Sequence, residues 1–318
     1  GDPVHACLVH ALQSDPAADV RLAALHAVAP TARAVPALVA RVRDVAPAVR
    51  AAALRRVFGA CTPASLAPEH VRALVAALVP APDSAADART ARRLYRRAWL
   101  HGRECAGNPL RLLTALGASA LLDGLDTVAA ETALTGDSEY DSESDSEYAI
   151  VCEPVPVVAG DSEAGLAYRM TVTARQEGTS WSAEGAPLTP EMALLWRVAC
   201  QHRWCRVPGL RALATLLDAA VAVYTRTHSA DARYCLLQVL GIVAVGVTGT
   251  GDNNSGSNNE GKEQLETRLR RAVPVLADEP VVLEPAMDAL RTLLRDEDEW
   301  TRVVVEAVAD LVDPLDDG

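Results

Sequence analysis

Half of the 318 residues are hydrophobic, but only one is Phe, so any core must be assembled mainly from Ala, Leu and Val, side chains suited to closely packed helices. The net charge of −12 hides a split: residues 1–111 carry 15 Arg against 8 acids (+7), and residues 112–318 carry 15 Lys or Arg against 34 acids (−19). Only the N-terminal third therefore suits a polyanion, and no apolar run reaches the roughly 20 residues of a membrane helix, the best, 234–247, being interrupted by Gln238.

Taken in chain order, helical periodicity covers residues 3–135. Breaks fall at Pro16, Pro30, Cys61-Thr62-Pro63, Pro80-Ala81-Pro82 and Gly107-Asn108-Pro109, and they leave segments of ordinary helix length. The spacing predicts helix pairs over 32–43 with 46–59, 66–79 with 85–101, and 108–116 with 118–134. Residues 136–187 break the pattern. The run from Asp137 to Glu147 places an acid at every second position with serines between most of them, a like-charge density that cannot bury a core, so a largely disordered insert is expected. Alternation at 155–158 and 168–173 allows a small hairpin there.

Helices resume at Leu188-Thr189-Pro190-Glu191. Thr189 is placed to cap, Pro190 takes the first helical position, and Glu191 favours the positive end of the helix dipole. Further helices are expected at 207–227, 230–246, 262–277, 280–295 and 298–312, with a Gly/Asn-rich loop over 249–261. The division is thus 1–135, basic helical repeats; 136–187, acidic insert; 188–318, further repeats. A chain that opens Gly1-Asp2-Pro3 and closes on an Asp-rich stretch reads as a piece of a longer one.

One pattern recurs: an Asp, a small or β-branched residue five positions later, then an Arg. The copies are Asp15…Val20-Arg21, Asp44…Val49-Arg50 and Asp83…Ala88-Arg89, with a weaker echo from Asp296 to Arg302. The marker arginines are 29 and then 39 residues apart, near the lower edge of helix-pair repeats. The expected fold is all-α, a HEAT- or armadillo-like α-solenoid of stacked antiparallel helix pairs with a disordered acidic insert. Such a fold usually works by holding something.

The third copy carries a stripe of arginines. On a helix Arg89, Arg92, Arg93, Arg96 and Arg97 fall within an arc of about 140°, with Tyr95 and Trp99 on the other side. Their i,i+3 and i,i+4 spacing makes them repel, and no carboxylate is spaced to relieve them. Arg41, Arg43, Arg50, Arg55 and Arg56 lie one repeat earlier. These ten are the candidate residues for binding a polyanion, nucleic acid among the possibilities. A solvated helix face is the bland alternative, and an acidic protein could also be the partner. The residue type adds little, because the chain has 29 Arg and one Lys.

Catalytic signals are thin. Seven cysteines show no paired short spacing and point to a reducing compartment. Cys200-Gln-His202-Arg-Trp-Cys205 matches no standard zinc spacing on its predicted helix, and none of the seven histidines precedes a Glu. There is no P-loop and no Gly-x-Ser-x-Gly elbow. No catalytic residue, metal, cofactor or small-molecule substrate is expected. Ser138, Ser142 and Ser144 each have an acid three residues later, which suits phosphorylation by acid-directed kinases and equally suits a merely solvating segment.

Together these residues resemble the G-type HEAT-repeat subunit of condensin. The resemblance rests on 15–28, on Arg41-Val-Arg43-Asp44-Val45 running to Arg50, on 88–100 ending Trp99-Leu100, on Gly107-Asn-Pro-Leu-Arg-Leu-Leu113 and on Leu188-Thr-Pro-Glu-Met-Ala-Leu-Leu-Trp196. It implies a non-catalytic subunit in mitotic chromosome condensation that grips double-stranded DNA in a basic groove and binds the kleisin, and through it the SMC ATPases. It also implies residence in the nucleus and on chromosomes, with the cytoplasm open to it outside mitosis. A scaffold whose basic face docks an acidic protein, without nucleic acid, is the alternative.

Overall fold

The structure is a computed structural model. It describes residues 2–81, 85–121, 124–135, 148–155, 167–174, 180–187, 189–202, 205–206, 229–249, 257–276 and 280–294, with isolated positions between 214 and 225 and between 298 and 305. The chain divides into two compact units, Gly1–Glu139 and Tyr140–Gly318.

In the first unit the helices are α1 Pro3–Ser14, α2 Ala18–Ala27, α3 Val35–Ala40, α4 Pro47–Ala60, α5 Pro68–Ala76, α6 Ala85–Leu94, α7 Pro109–Leu116 and α8 Leu125–Leu134. Prolines explain several helix starts, only one of them, Pro109, among the breaks read from the sequence. Pro3, Pro47, Pro68 and Pro109 each occupy the first helical position, where a missing N–H costs nothing. Two rows of contacts follow: α1, α3 and α5 touch in succession, as do α2, α4 and α6. This is the stacking of helix pairs that the repeat pattern predicts, and this unit is all-α as expected. The core is Ala, Leu and Val, including Leu12, Leu25, Leu38, Leu54, Leu74 and Ala53.

The recurring Asp and Arg are what join one repeat to the next. Arg21 Nε and Nη2 donate to the two carboxylate oxygens of Asp44 at 2.9 and 2.7 Å, while Nη1 donates to the carbonyls of Asp15 and Pro16. Arg50 repeats the arrangement one step on, with Nη1 on the carbonyls of Asp44 and Val45 and Nε on Asp87 Oδ2 at 2.7 Å. Each guanidinium thus clamps its own repeat's turn and reaches the acid of the following repeat. The second rung uses Asp87; the Asp83 of the sequence pattern lies outside the described residues. Asp44 also accepts from Arg41 Nη1 and from the Ala46 N–H. The Arg21 guanidinium, backed by those donors, holds the Asp44 carboxyl below its ordinary value against the opposing effect of burial.

A second anchor lies at the far end of α6. The helix widens into a π turn at Tyr95–Leu100, and the His101 N–H reaches back five residues to the Arg96 carbonyl. The wider turn brings Trp99 from the edge of the buried arc toward its centre. Trp99 Nε1 donates to the Cys61 carbonyl at 2.8 Å, and its ring lies 4.5 Å from the lone Phe, Phe58. The Tyr95 hydroxyl donates to the Ala129 carbonyl of α8. Every polar atom of this buried pair has a partner, as it must.

The second unit departs from expectation within 136–187. Strands β1 Tyr148–Val155, β2 Ala167–Ala174, β3 Ser180–Pro187 and β4 Cys205–Arg206 form one sheet in the order β3-β2-β1-β4. The first three are antiparallel neighbours, and β4 runs parallel to β1. A largely disordered insert is therefore corrected at these residues. The acids concentrate in 137–147, whereas Ile150, Val151, Val155, Tyr168, Met170 and Val172 have strand propensity. The acidic run, with Ser138, Ser142 and Ser144, lies outside the described residues. Cys205 stands on a strand and not on a helix, because the preceding helix stops at Gln201.

That helix, α9 Pro190–Gln201, starts as predicted, with Thr189 Oγ1 accepting from the Met192 N–H. It packs on α10 Ala230–Gly249, which packs in turn on α12 Pro280–Leu294, and α12 meets α11 Ser257–Leu276. Gly241 of α10 sits where an added Cβ would come within 2.7 Å of the Arg197 side chain of α9, so its lack of a side chain permits the close approach. α11 begins at Ser257, five residues before the expected start, and the loop expected over 249–261 is shorter by that much. Among the described residues no helix is long and apolar enough to cross a membrane.

Two outcomes test the ladder. Asp44→Ala strands a guanidinium in the interior and is expected to cost about 3–5 kcal/mol in urea unfolding, whereas Asp87→Ala, at a half-buried rung, costs about 1 kcal/mol or less. The Asp44 carboxyl is depressed in the folded state, so its stabilisation is complete above the unfolded value of about 3.9. Stability is then lost as pH falls through the lower folded value, and Asp44→Ala removes that acid-side loss from the unfolding curve measured against pH.

Candidate nucleic-acid interface

The ten candidate arginines do not form one surface. Arg41 is ion-paired to Asp44, Arg50 to Asp87, and Arg56 Nη2 donates to the Val28 carbonyl. Arg96 is buried, 4 % exposed. Those four make contacts within the stack. Arg43, Arg55, Arg89, Arg92, Arg93 and Arg97 are exposed.

Helix frame explains the exposed set. In α2 and α4 the ladder arginine is the fourth helical residue, Arg21 and Arg50, and it turns inward. In α6 the fourth residue is Ala88, which is buried. Arg89 follows one position later, about 100° further round, and faces solvent. The third copy of the pattern thus keeps the residue types but slips by one against its helix. Its arginine leaves the ladder and opens a row, Arg89, Arg93 and Arg97, at successive steps of four. Among the described residues none of the three has an ion-pair partner.

Arg92 and Arg96 lie at the other edge of the arc. Arg92 Nε donates to the Leu78 carbonyl just beyond α5, which shows what that edge faces. One turn further on, Arg96 is enclosed. The cationic arc read from the sequence is therefore wider than the arc that solvent reaches.

Arg55 extends the surface to the neighbouring helix. On α4 the exposed positions include Ala48, Arg55 and Gly59, whereas Val49, Ala53 and Val57 are buried. Counted from the Arg50–Asp87 rung, Arg55 stands as far along α4 as Arg92 does along α6. Only one acid, Asp87, occurs between residues 84 and 103, and it is spent on Arg50. The result is a set of outward cations on a rigid two-helix base.

Nothing in this region is arranged for covalent chemistry. Cys61 and Cys105 are buried, and burial pushes both thiols up, away from the thiolate. Burial likewise holds Tyr95 well above the ordinary phenol value. Among the described residues no three His, Cys, Asp or Glu side chains gather as a metal site would require. Tyr95 and Trp99 face inward, so no aromatic ring stands among the exposed arginines to stack on bases. The sequence does not expose two of these features: that Arg21, absent from the candidates, is the deepest guanidinium partner of Asp44, and that the second rung ends on Asp87. Both are pairings between repeats, for which a local pattern carries no signal.

No family model matches the sequence, and no curated protein matches it. Among solved structures the chain is similar to one in the crystal structure of the S. pombe condensin Cnd3-Cnd2 subcomplex, with a TM-score of 0.68 and 20 % identity, over 98 % of this chain and 37 % of that one. The chain therefore spans little more than a third of that protein's length. At this identity the likeness establishes the fold: the chain shares the all-α helical-repeat architecture found in that condensin subcomplex.

Proposed function

We propose that this chain is a non-catalytic part of a condensin-type complex that binds the backbone of double-stranded DNA through Arg43, Arg55, Arg89, Arg92, Arg93 and Arg97. The observation that carries the reading is the exposed row on α6, in which like charges stand side by side with no ion-pair partner among the described residues. Successive members at four-residue steps are about 6 Å apart along the helix, a regular line of charge suited to a regular polyanion. Duplex DNA offers one phosphate per about 3.4 Å of axis on each strand. Contacts of this kind position a protein on DNA without reading its sequence.

The fold likeness supports the assembly. The S. pombe protein is seen together with a second condensin subunit, and on the same reading this chain binds a kleisin and reaches the SMC ATPases through it. Its place would then be the nucleus and chromosomes. The competing reading, an acidic protein on the same face, lacks a specific observation in its favour.

The test is a duplex-DNA titration across a salt series. Changing Arg55, Arg89, Arg93 and Arg97 together to Glu removes four exposed cations and spares the ladder. These four alone contribute about −3.6 to the slope of log K against log salt, so the wild type should show at least that dependence and the variant should lose it. Single reversals of Arg93 or Arg97 should move stability by no more than about 0.5 kcal/mol. A slope untouched by the four reversals, or no DNA binding at all, would falsify the assignment.

A further inference from the structure

The two rungs of the ladder differ in one respect that bears on the surface beside them. In the first, the Arg21 and Asp44 side chains are 7 % and 1 % exposed; in the second, Arg50 and Asp87 are 18 % and 20 % exposed. Asp44 is held by four donors, whereas Asp87 accepts only from Arg50 Nε among the described residues. Asp87 is also two residues before Arg89, at the start of the cationic row, and it is the only carboxylate in residues 84–103.

We infer that Asp87 is an internal competitor for phosphate, and that Arg50 is a further member of the anion-binding surface, masked until a phosphate takes the place of this carboxylate. The inference rests on reading that surface as DNA-binding. Arg50 is prepared for the exchange. Its Nη1 stays fixed on the carbonyls of Asp44 and Val45, so the guanidinium keeps its position whichever anion it meets. Its Nη2 makes no hydrogen bond among the described residues. Losing this rung costs less than losing the first, because its side chains are less deeply buried than those of Arg21 and Asp44. The same exchange is closed to Arg21, whose partner is sealed in the interior.

Asp87 does not relieve the row along its own helix. Its i+3 and i+4 neighbours are Thr90 and Ala91, so the carboxylate has no arginine of α6 within pairing distance by helix geometry. Its charge acts on Arg50 first. Neutralising it should therefore add one cation to the surface.

The experiment measures binding of the full chain to duplex DNA of arbitrary sequence across a salt series, for the wild type, Asp87→Asn, Arg50→Gln and the double variant. Asn preserves shape and can still accept from Arg50 Nε, and Asp87→Ala serves as the second neutralising variant. Asp87→Asn is expected to bind several-fold more tightly at low salt, with a slope steeper by about 0.9, and Arg50→Gln in the same chain should cancel the gain. A purely structural rung would behave otherwise: its loss lowers the folded fraction and weakens binding uniformly, without steepening the salt dependence. Salt-dependent wild-type binding with an unchanged or shallower slope in both Asp87 variants overturns this inference alone. Absence of salt-dependent binding by the wild type overturns the surface reading and the inference with it.

Discussion

The N-terminal unit depends on the carboxylate of Asp44. It lies in the interior, where an ionised carboxyl is tolerable only if its lone pairs are filled, and two guanidinium groups and a backbone N–H fill them. The requirement is directional. Arg21 comes from one repeat, Asp44 opens the next, and the pair can close only when α2 and α4 stand at one spacing and one register. A core of Ala, Leu and Val lacks such specificity, because smooth small side chains pack acceptably at several offsets. Fixing register is the best-attested use of a buried ion pair, and here it complements a core that is apolar but not very distinctive in shape.

The same constraint explains how the chain can carry a cationic helix without losing its fold. Arg89, Arg92, Arg93, Arg96 and Arg97 make five unfavourable i,i+3 or i,i+4 pairs, together on the order of 1–2.5 kcal/mol. Against this, Tyr95 and Trp99 are both fully inside, each contributing on the order of 1.5–3 kcal/mol by burial, and ring contacts with Phe58 add more. The packed face wins. Repulsion on the outer face is a load that the aromatic anchors and the Arg50–Asp87 rung can bear, and an arriving polyanion would relieve it.

Much of the architecture was legible because it rests on local chemistry. Pro109 marked the start of α7, Thr189 and Pro190 marked the return to helix, and the Asp-to-Arg pattern marked the repeats. What was not legible is long-range or depends on phase. Nothing in the sequence says that Arg21 answers Asp44 and not Asp15, or that Arg50 answers Asp87. Arg96 looked like its neighbours because a helical wheel knows the angle of a residue but not what stands beside the helix. The sheet was obscured differently: the density of acids in 137–147 coloured the reading of the whole insert, although the residues after 148 carry strand-forming side chains.

One residue type thus serves two purposes, and helix phase decides between them. At the fourth position of α2 and α4 an arginine turns inward, clamps two carbonyls and meets the acid of the next repeat, where its charge is cancelled. One position later, in α6, the arginine turns outward and its charge remains. Composition cannot separate these cases, since the basic excess of residues 1–111 counts Arg21 and Arg97 alike. Their consequences are opposite: the inward arginines bind the repeats to one another and are silent toward any partner, while the outward ones do little for the stack and define what it can hold. Arg50 stands between, inward by position and half-exposed by environment, so the rung it makes with Asp87 is where the internal and external uses of charge meet.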